Sequence, residues 1–322
     1  MLRLGVVFPG QGSQVVGMGV DVAARSAAAR ECFDRAASVL GYDLLELVLQ
    51  GPEAALRETI NSQPAIFTTN VALYRAVGEE LKPLVTAGHS FAEFCSLVAA
   101  GSLAFEDALR IVEERAKAMQ AAAQQARGGM TAVLGLEAER VRAIVNSTQT
   151  NSPQRVQLAN LNSPTQIVIS GDLAAVEAVS DAMLAAGAKR VVPLNVSGAW
   201  HSELMEPAVA SFRAAVEKGA FRVPAFDVVS NVDAQPYRDI STIKTNLVSS
   251  IVREVRWHDT AQRMLSYGLD VVVEFGASSV LAPLMRRMEN APRTVTVSDY
   301  PGVEKLRETI EGSRDGAREM QA

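Results

Sequence analysis

The chain has 322 residues, 48% of them hydrophobic, which is enough to bury a large core and to hold a smaller domain inserted in a larger one. Its formal net charge of -5, without a basic run, argues against nucleic acid as a partner. No apolar stretch is long enough to span a bilayer and no signal peptide precedes the first strand, so we expect no membrane association and a cytoplasmic location. Cys32 and Cys95 lack metal-ligand spacing, so we expect neither a metal site nor a disulfide.

The first predicted strand, residues 4–8, ends in the glycine-rich turn Pro9-Gly10-Gln11-Gly12-Ser13-Gln14. Its glycine spacing matches neither a phosphate-binding loop nor a dinucleotide-binding motif. The turn is therefore either a plain connection or a segment whose exposed amides, that of Gln11 especially, contribute to an oxyanion site beside a neighbouring strand. A helical pattern follows from Asp21 to Gln50 and is broken at Gly41.

Two further helices are predicted on either side of residue 90. One starts at Asn61-Ser62-Gln63-Pro64 and runs to about Leu81, with its proline in the first turn. The other spans Ser102 to Ala126 and contains Arg115 among apolar positions. On composition alone, such an arginine is typical of a surface residue whose aliphatic stem packs against the protein.

The stretch Ala87-Gly88-His89-Ser90-Phe91-Ala92-Glu93 follows a short apolar run and precedes residues with helical spacing. This pattern predicts a strand, a sharp turn and a helix, with Gly88 giving the turn its backbone freedom. Ser90 would then present its hydroxyl beyond the end of the strand, near the free N–H groups of the helix start, as a nucleophile does. The usual pattern Gly-x-Ser-x-Gly is incomplete, because Ala92 stands at its last position.

Between Gly129 and Ser197 the predicted order is strand, helix, strand, strand, helix, strand, which is that of a ferredoxin-like unit. Strands and helices alternate before and after it, which predicts a parallel sheet covered on both faces. We therefore predict an α/β fold, with a parallel-sheet, α/β-hydrolase-like large domain (residues 1–127 and 198–322) and an inserted ferredoxin-like small domain (residues 128–197). The polar residues beyond Asp315 are expected to fray.

Serine chemistry needs a base, and the chain has three histidines. His89 is adjacent to Ser90, so its side chain is expected to point elsewhere. His258 lies near a predicted helix start, where a capping or surface role is expected. His201 follows the loop that returns from the small domain, a place where ligand pockets commonly form, and is the preferred base, with a structural histidine as the alternative.

Several short motifs resemble those of the malonyl-CoA:acyl carrier protein transacylases and the related acyltransferase domains of polyketide synthases. They occur in the family's order and at its spacings over about residues 4–290. The matching residues are Phe8-Pro9-Gly10-Gln11-Gly12-Ser13-Gln14, Gln63-Pro64-Ala65, Gly88-His89-Ser90, Arg115 with Met119-Gln120, Asn160, Asn162-Ser163-Pro164 and His201.

The resemblance implies a catalytic role for five positions. Ser90 would accept the acyl group from a thioester, and His201 would act as its general base. A backbone carbonyl, at about Ser250, would orient the histidine. The backbone N–H groups of Gln11 and Phe91 would stabilise the oxyanion.

The resemblance also implies the substrates. Arg115 would bind the free carboxylate of a malonyl group through a two-pronged ion pair. The substrates would be a coenzyme A thioester and the phosphopantetheine thiol of an acyl carrier protein, with no metal and no permanently bound cofactor. We expect a monomer that contacts the carrier through Arg286-Arg287 and Lys189-Arg190. The other substrate-binding residues would be Gln63, His89, Asn160, Asn162 and Trp200.

Some positions depart from the family's usual residues, and several of them are bulkier. They are Phe91, Ala92, Ala116, Trp200 and, where the family commonly has Gly-Pro-Gly, the last two residues of Gly276-Ala277-Ser278. These changes either tighten the pocket around malonyl or mark a transferase specialised for another acyl group. The chain is therefore predicted to move malonyl from coenzyme A to a carrier protein in fatty acid or polyketide synthesis. The alternatives are a discrete polyketide-pathway transferase that moves a different acyl group, including between two carrier proteins, a non-catalytic carrier-binding module and a serine hydrolase.

Overall fold

The computed structural model describes residues 2–149 and 154–319. The helical pattern from Asp21 to Gln50 is broken at Gly41, as predicted, and also at Ser26, so it forms three helices. Ser26 and Asp43 each start a new helix by accepting a hydrogen bond from a backbone N–H in its first turn. The elements of this region are β1 (Leu4–Phe8), α1 (Val20–Arg25), α2 (Ala27–Leu40), α3 (Leu44–Gln50), α4 (Glu53–Arg57) and α5 (Thr59–Val77).

Helix α5 corrects the predicted position of Pro64. The helix begins at Thr59, so the proline lies inside it rather than in the first turn, and it ends at Val77 rather than near Leu81. The proline has no N–H to donate to the carbonyl of Ile60. Because most of α5 is buried, tertiary packing stabilises the helix despite this loss.

The predicted strand, sharp turn and helix around Ser90 are present. Strand β2 (Val85–Gly88) is followed by a 3-10 turn over Ser90–Ala92 and by helix α6 (Glu93–Ala99). Helix α7 (Phe105–Ala123) is shorter than predicted at both ends and carries Arg115 on its buried face.

A second sheet is antiparallel and has the strand order β4-β5-β3-β6. Its elements are β3 (Gly128–Leu134), α8 (Ala138–Gln149), β4 (Val156–Ser163), β5 (Gln166–Asp172), α9 (Leu173–Ala185) and β6 (Arg190–Pro193). This is the ferredoxin-like arrangement that the element order predicts. The sheet and its two helices enclose a hydrophobic core of their own. The domain limits at residues 128 and 197 stay a prediction.

The remaining elements follow a 3-10 turn at Glu203–Met205. They are α10 (Glu206–Lys218), β7 (Asp227–Val228), α11 (Ile240–Ser249), α12 (Trp257–Leu265), β8 (Val271–Phe275), α13 (Ala282–Met285), β9 (Arg293–Val297) and α14 (Tyr300–Glu319). Helices α4, α11 and α14 and strand β9 were not predicted. Strand β9 is half-exposed at the sheet edge, and α14 is largely polar. Helix α14 also continues past Asp315, where the sequence predicts a frayed end.

The large sheet has the strand order β7-β2-β1-β8-β9, and every neighbouring pair is parallel. All residues of β1, β2 and β8 are buried, as expected for a parallel sheet with helices on both faces. This confirms the predicted α/β class.

The turn after β2 has no room for a side chain at Gly88. A Cβ there would lie 1.9 Å from the carbonyl oxygen of Ala92, a backbone atom of the same turn. We expect Gly88→Ala to lower the free energy of unfolding, measured by urea denaturation, by about 1–3 kcal/mol or more. In the control Gly312→Ala, the new Cβ meets no atom within 4 Å and lies in a helix, so stability should be unchanged or slightly raised. Equal stability of the two variants would contradict this geometry.

Candidate active site

Two turns meet at one end of the large sheet. Because β1 and β2 are parallel neighbours with Phe8 opposite Gly88, the glycine-rich turn and the serine turn leave the sheet at the same edge. The His89 N–H donates to the Phe8 carbonyl oxygen at 2.9 Å, and a Cβ on Gly10 would lie 2.6 Å from the His89 carbonyl oxygen. This close approach brings Gln11 beside the serine turn.

Ser90 has a strained backbone. Its φ of 57° lies in the left-handed region, which residues other than glycine rarely adopt. The side chain of Asn231 spans the turn, since its Oδ1 accepts from the Ser90 N–H at 2.6 Å and its Nδ2 donates to the Gly88 carbonyl oxygen at 2.8 Å. Asn231 therefore holds the backbone at both ends of the turn.

The Ser90 hydroxyl is hydrogen-bonded to His201. The Ser90 Oγ and His201 Nε2 atoms are 2.7 Å apart, and the His201 Nδ1 atom lies 2.7 Å from the Ser250 carbonyl oxygen. A carbonyl oxygen can only accept, so Nδ1 carries the proton and Nε2 presents its lone pair to the serine. The carbonyl expected to orient the histidine is thus in contact with it.

His201 is buried, and its backbone is also left-handed, with a φ of 58°. Burial, helped by the positive charge of Arg115, lowers the pKa of its imidazole to about 3, while the hydrogen bond to Ser250 opposes this shift. The imidazole is therefore neutral near pH 7 and able to accept a proton. Its charged form is unfavourable unless another group compensates the nearby positive charge.

Arg115 is only 1% exposed, which overturns the surface role that composition alone predicts. Its Nη2 donates to Ser90 Oγ at 3.3 Å, and its Nη1 donates to Gln63 Oε1 at 2.9 Å. Burial lowers the pKa of the guanidinium to about 9, and the charge of Glu93 opposes this shift. No carboxylate among the described residues forms an ion pair with it. A buried charge without a counter-ion is costly until a ligand supplies the opposite charge.

Hydrogen bonds connect Arg115 to the glycine-rich turn. The Gln63 Nε2 donates to Gln11 Oε1 at 3.4 Å and to Met119 Sδ at 3.8 Å. The Gln11 Nε2 in turn donates to Thr59 Oγ1 at 3.1 Å. Helices α5 and α7 and the glycine-rich turn are therefore held together around the guanidinium.

A cleft of about 810 Å³ opens onto Ser90 and His201, between residues of the large and small sheets. The predicted site residues that also line it are Gln11, His89, Arg115, Asn160 and Trp200. The other predicted residues, Gln63, Phe91, Asn162 and Ser250, do not line it. Three of them are hydrogen-bonded to residues that do, Gln63 to Arg115, Asn162 to His89 and Ser250 to His201. The His89 side chain points away from Ser90, with its Nε2 atom 3.0 Å from Asn162 Oδ1. Within the described residues, the buried Trp200 indole N–H has no hydrogen-bond partner.

His258 lies in α12 and does not line this cleft. It borders a separate cavity of about 590 Å³ together with Arg142 and Glu254. Of the three histidines, the structure therefore brings His201 alone to the Ser90 hydroxyl.

Sequence reasoning missed the buried groups behind the serine turn. The Asn231 N–H donates to Glu93 Oε2 at 3.0 Å, and the Tyr237 hydroxyl donates to Glu93 Oε1. Burial raises the pKa of the Glu93 carboxyl to about 7. Glu93 follows the serine in sequence, but Asn231 and Tyr237 come from a distant segment that only the fold brings to it.

The sequence pattern of the acyl transferase domain family matches residues 6–306. This chain belongs to that family. A relative from Haemophilus influenzae, a malonyl CoA-acyl carrier protein transacylase, is 40% identical over 96% of this chain and 100% of its own length. A Bacillus subtilis relative of the same name is 36% identical over 98% of this chain and 100% of its own length. The chain is thus an acyltransferase of the malonyl-CoA:acyl carrier protein transacylase family.

Solved structures agree with this assignment. An acyl carrier protein S-malonyltransferase from Vibrio cholerae superposes with a TM-score of 0.90 at 36% identity, covering 94% of this acyltransferase and 99% of the other chain. A malonyl-transacylase solved in complex with its type II PKS acyl-carrier protein gives a TM-score of 0.91 at 38% identity. The match covers 95% of this chain and 99% of the other chain.

Residues 2–149 and 154–319 contain no group of three His, Cys, Asp or Glu side chains placed to hold a metal ion. In the same residues, no helix has both the length and the apolar character needed to cross a membrane.

The raised pKa of Glu93 predicts how stability depends on pH. A carboxyl with a raised pKa contributes stability that is present at low pH and is lost as the pH rises through about 7. Glu93→Gln keeps an acceptor for Asn231 and cannot ionise. Between pH 5 and 8 we expect the wild type to lose on the order of 2–3 kcal/mol of unfolding free energy relative to this variant, measured in urea. Parallel pH curves for the two proteins would contradict this prediction.

Proposed function

We propose that this acyltransferase moves a malonyl group from coenzyme A to the phosphopantetheine thiol of an acyl carrier protein through an ester on Ser90. The observation that carries the proposal is the buried guanidinium of Arg115, which contacts the Ser90 hydroxyl and forms no salt bridge with an acidic side chain among the described residues. The free carboxylate of malonyl supplies the missing negative charge. The names of the relatives support the same donor, acyl group and acceptor.

In the first half-reaction, Ser90 Oγ attacks the carbonyl carbon of the thioester while His201 Nε2 accepts the hydroxyl proton. The carbonyl oxygen becomes negative and is stabilised by the backbone N–H groups of Gln11 and Phe91. When the carbon–sulfur bond breaks, the sulfur takes the proton from His201. Coenzyme A leaves as the thiol, and malonyl remains as an ester of Ser90.

The second half-reaction reverses these roles with a different thiol. The phosphopantetheine thiol gives its proton to His201 and attacks the ester carbonyl. Breaking of the carbon–oxygen bond returns the proton to Ser90 Oγ and releases the malonyl carrier protein. This scheme uses no metal and no resident cofactor.

The site geometry favours this reaction over the other candidates. The 2.7 Å contact between Ser90 and His201 supports catalysis rather than a non-catalytic binding module. The buried Arg115 supports a substrate with a free carboxylate, which a general serine hydrolase does not need. The similarity to a malonyl-transacylase of a type II polyketide system makes such a pathway the second candidate beside fatty acid synthesis.

The proposed carrier-binding residues, Arg286-Arg287 and Lys189-Arg190, are exposed. Exposed positive charges of this kind attract an acidic carrier protein through long-range electrostatics. The monomeric state and the cytoplasmic location also stay predictions. The free, buried state of Cys32 and Cys95 is compatible with a reducing compartment.

The proposed ester predicts the mass of the protein after mixing with malonyl-CoA. We expect the intact mass to rise by one malonyl group in the wild type and to stay unchanged in Ser90→Ala. His201→Ala should slow acylation about 10²- to 10⁴-fold, the contribution of a positioned base. The control His258→Ala should acylate at the wild-type rate. Labelling of Ser90→Ala, or normal acylation of His201→Ala, would refute these assignments.

The buried guanidinium, which forms no salt bridge within the part of the chain that the structure describes, predicts an inverted acyl preference in Arg115→Ala. Removing it leaves the buried malonyl carboxylate unpaired, at a cost of about 3–5 kcal/mol, so kcat/KM for malonyl-CoA should fall about a hundred- to several-thousand-fold. Acetyl-CoA carries no such charge and should react as fast as before or faster. Arg110→Ala, at an exposed position of α7, is the matched control and should leave both rates unchanged. An equal loss for both substrates would make Arg115 structural, and the specialised-transferase alternative would then take first place.

A further inference from the structure

The small sheet also holds the segment that orients His201. Strand β4 pairs with Val255, whose N–H donates to the Ala159 carbonyl oxygen at 2.8 Å and whose carbonyl oxygen accepts from the Leu161 N–H at 2.9 Å. On the same strand, the half-buried Gln157 points its side chain toward the backbone of His201. This side chain has no part in the reaction proposed above.

The amide of Gln157 bridges three backbone groups. Its Nε2 donates to the carbonyl oxygens of His201 at 3.1 Å and Val252 at 3.0 Å, and its Oε1 accepts from the Glu203 N–H at 3.1 Å. A primary amide has two N–H donors and one carbonyl acceptor, so all three groups of the Gln157 amide are hydrogen-bonded. Exchanging the nitrogen and oxygen would set an oxygen against two carbonyl oxygens, and the orientation of the amide is therefore fixed.

We infer that Gln157 is a positioning residue for the base, an inference that rests on the proposed role of His201. The left-handed backbone of His201 persists only when its surroundings impose it. Val252 lies two residues beyond Ser250, whose carbonyl oxygen receives the His201 Nδ1 proton. The Gln157 side chain thus connects the backbone of His201 to the segment 250–252, which orients the His201 ring. Because Gln157 lies on β4, the small sheet contributes to the reactivity of Ser90 through the position of its base.

The test measures the labelling rate of Ser90 by a fluorophosphonate probe, which needs the base but neither a malonyl group nor a carrier protein. Gln157→Met keeps the length of the side chain and removes all three hydrogen bonds. We expect its second-order labelling rate to fall about 10- to 100-fold, a part of the 10²–10⁴-fold effect of a positioned base. Gln166→Met on strand β5 is the matched control, because the Gln166 side chain makes no hydrogen bond within the described residues. It should label at the wild-type rate.

A double-mutant cycle separates action through His201 from a general loosening of the fold. In the His201→Ala background, Gln157→Met should cause no further loss of labelling. The proton NMR signal of the His201 Nδ1–H should shift in Gln157→Met and stay unchanged in Gln166→Met. If the methionine variant is unfolded, Gln157→Asn, which is one methylene too short to reach the carbonyl oxygens, should show the same effects.

Two results would overturn the inference. One is wild-type labelling of Gln157→Met with an unchanged His201 signal, and the other is an equal slowing in the presence and absence of His201. A wild type that gains no malonyl mass on Ser90 would instead overturn the proposed reaction, and the His201 signal alone would then decide the role of Gln157.

Discussion

A buried guanidinium that forms no salt bridge within residues 2–149 and 154–319 sets the conditions for the whole site. The charge of Arg115 lies against the Ser90 hydroxyl and contributes to the low pKa of His201. A malonyl carboxylate bound at Arg115 would neutralise this charge and remove its effect on the imidazole. The base would therefore become stronger when the proposed substrate is present than when the cleft is empty. In this way, one desolvated charge couples the choice of acyl group to the strength of the base.

Ser90 and His201, the two reacting residues beside Arg115, both have left-handed backbone conformations. Ser90 is fixed by Asn231 across the turn, and His201 by Ser250 and Gln157. Such conformations cost energy locally and persist because several elements converge on them. The close packing extends to Gly276, where a Cβ would lie 2.2 Å from the ring of Pro9. This contact leaves no room for a side chain at Gly276, while the next two residues depart from the Gly-Pro-Gly usual in the family.

Features built from short segments were predictable from the sequence. The turn around Ser90 and the ferredoxin-like order follow from local periodicity and from the position of glycine. The burial of Arg115 was not predictable from composition, because periodicity identifies a helix face without showing what that face packs against. The contacts of Asn231 and Gln157 join segments far apart in the chain, and no local pattern contains them. Only the resemblance to a known family pointed to the carbonyl of Ser250.

A crystal structure of the wild type after reaction with malonyl-CoA would test most directly whether Arg115 is the carboxylate site. An ester on Ser90 places the free carboxylate within reach of the guanidinium, whose two terminal nitrogens now contact Ser90 and Gln63. We predict that both nitrogens turn to the carboxylate and form a bidentate ion pair at about 2.7–2.9 Å. A carboxylate directed into the open cleft, with the guanidinium still bonded to Gln63 and the serine oxygen, would contradict the proposed origin of malonyl selectivity.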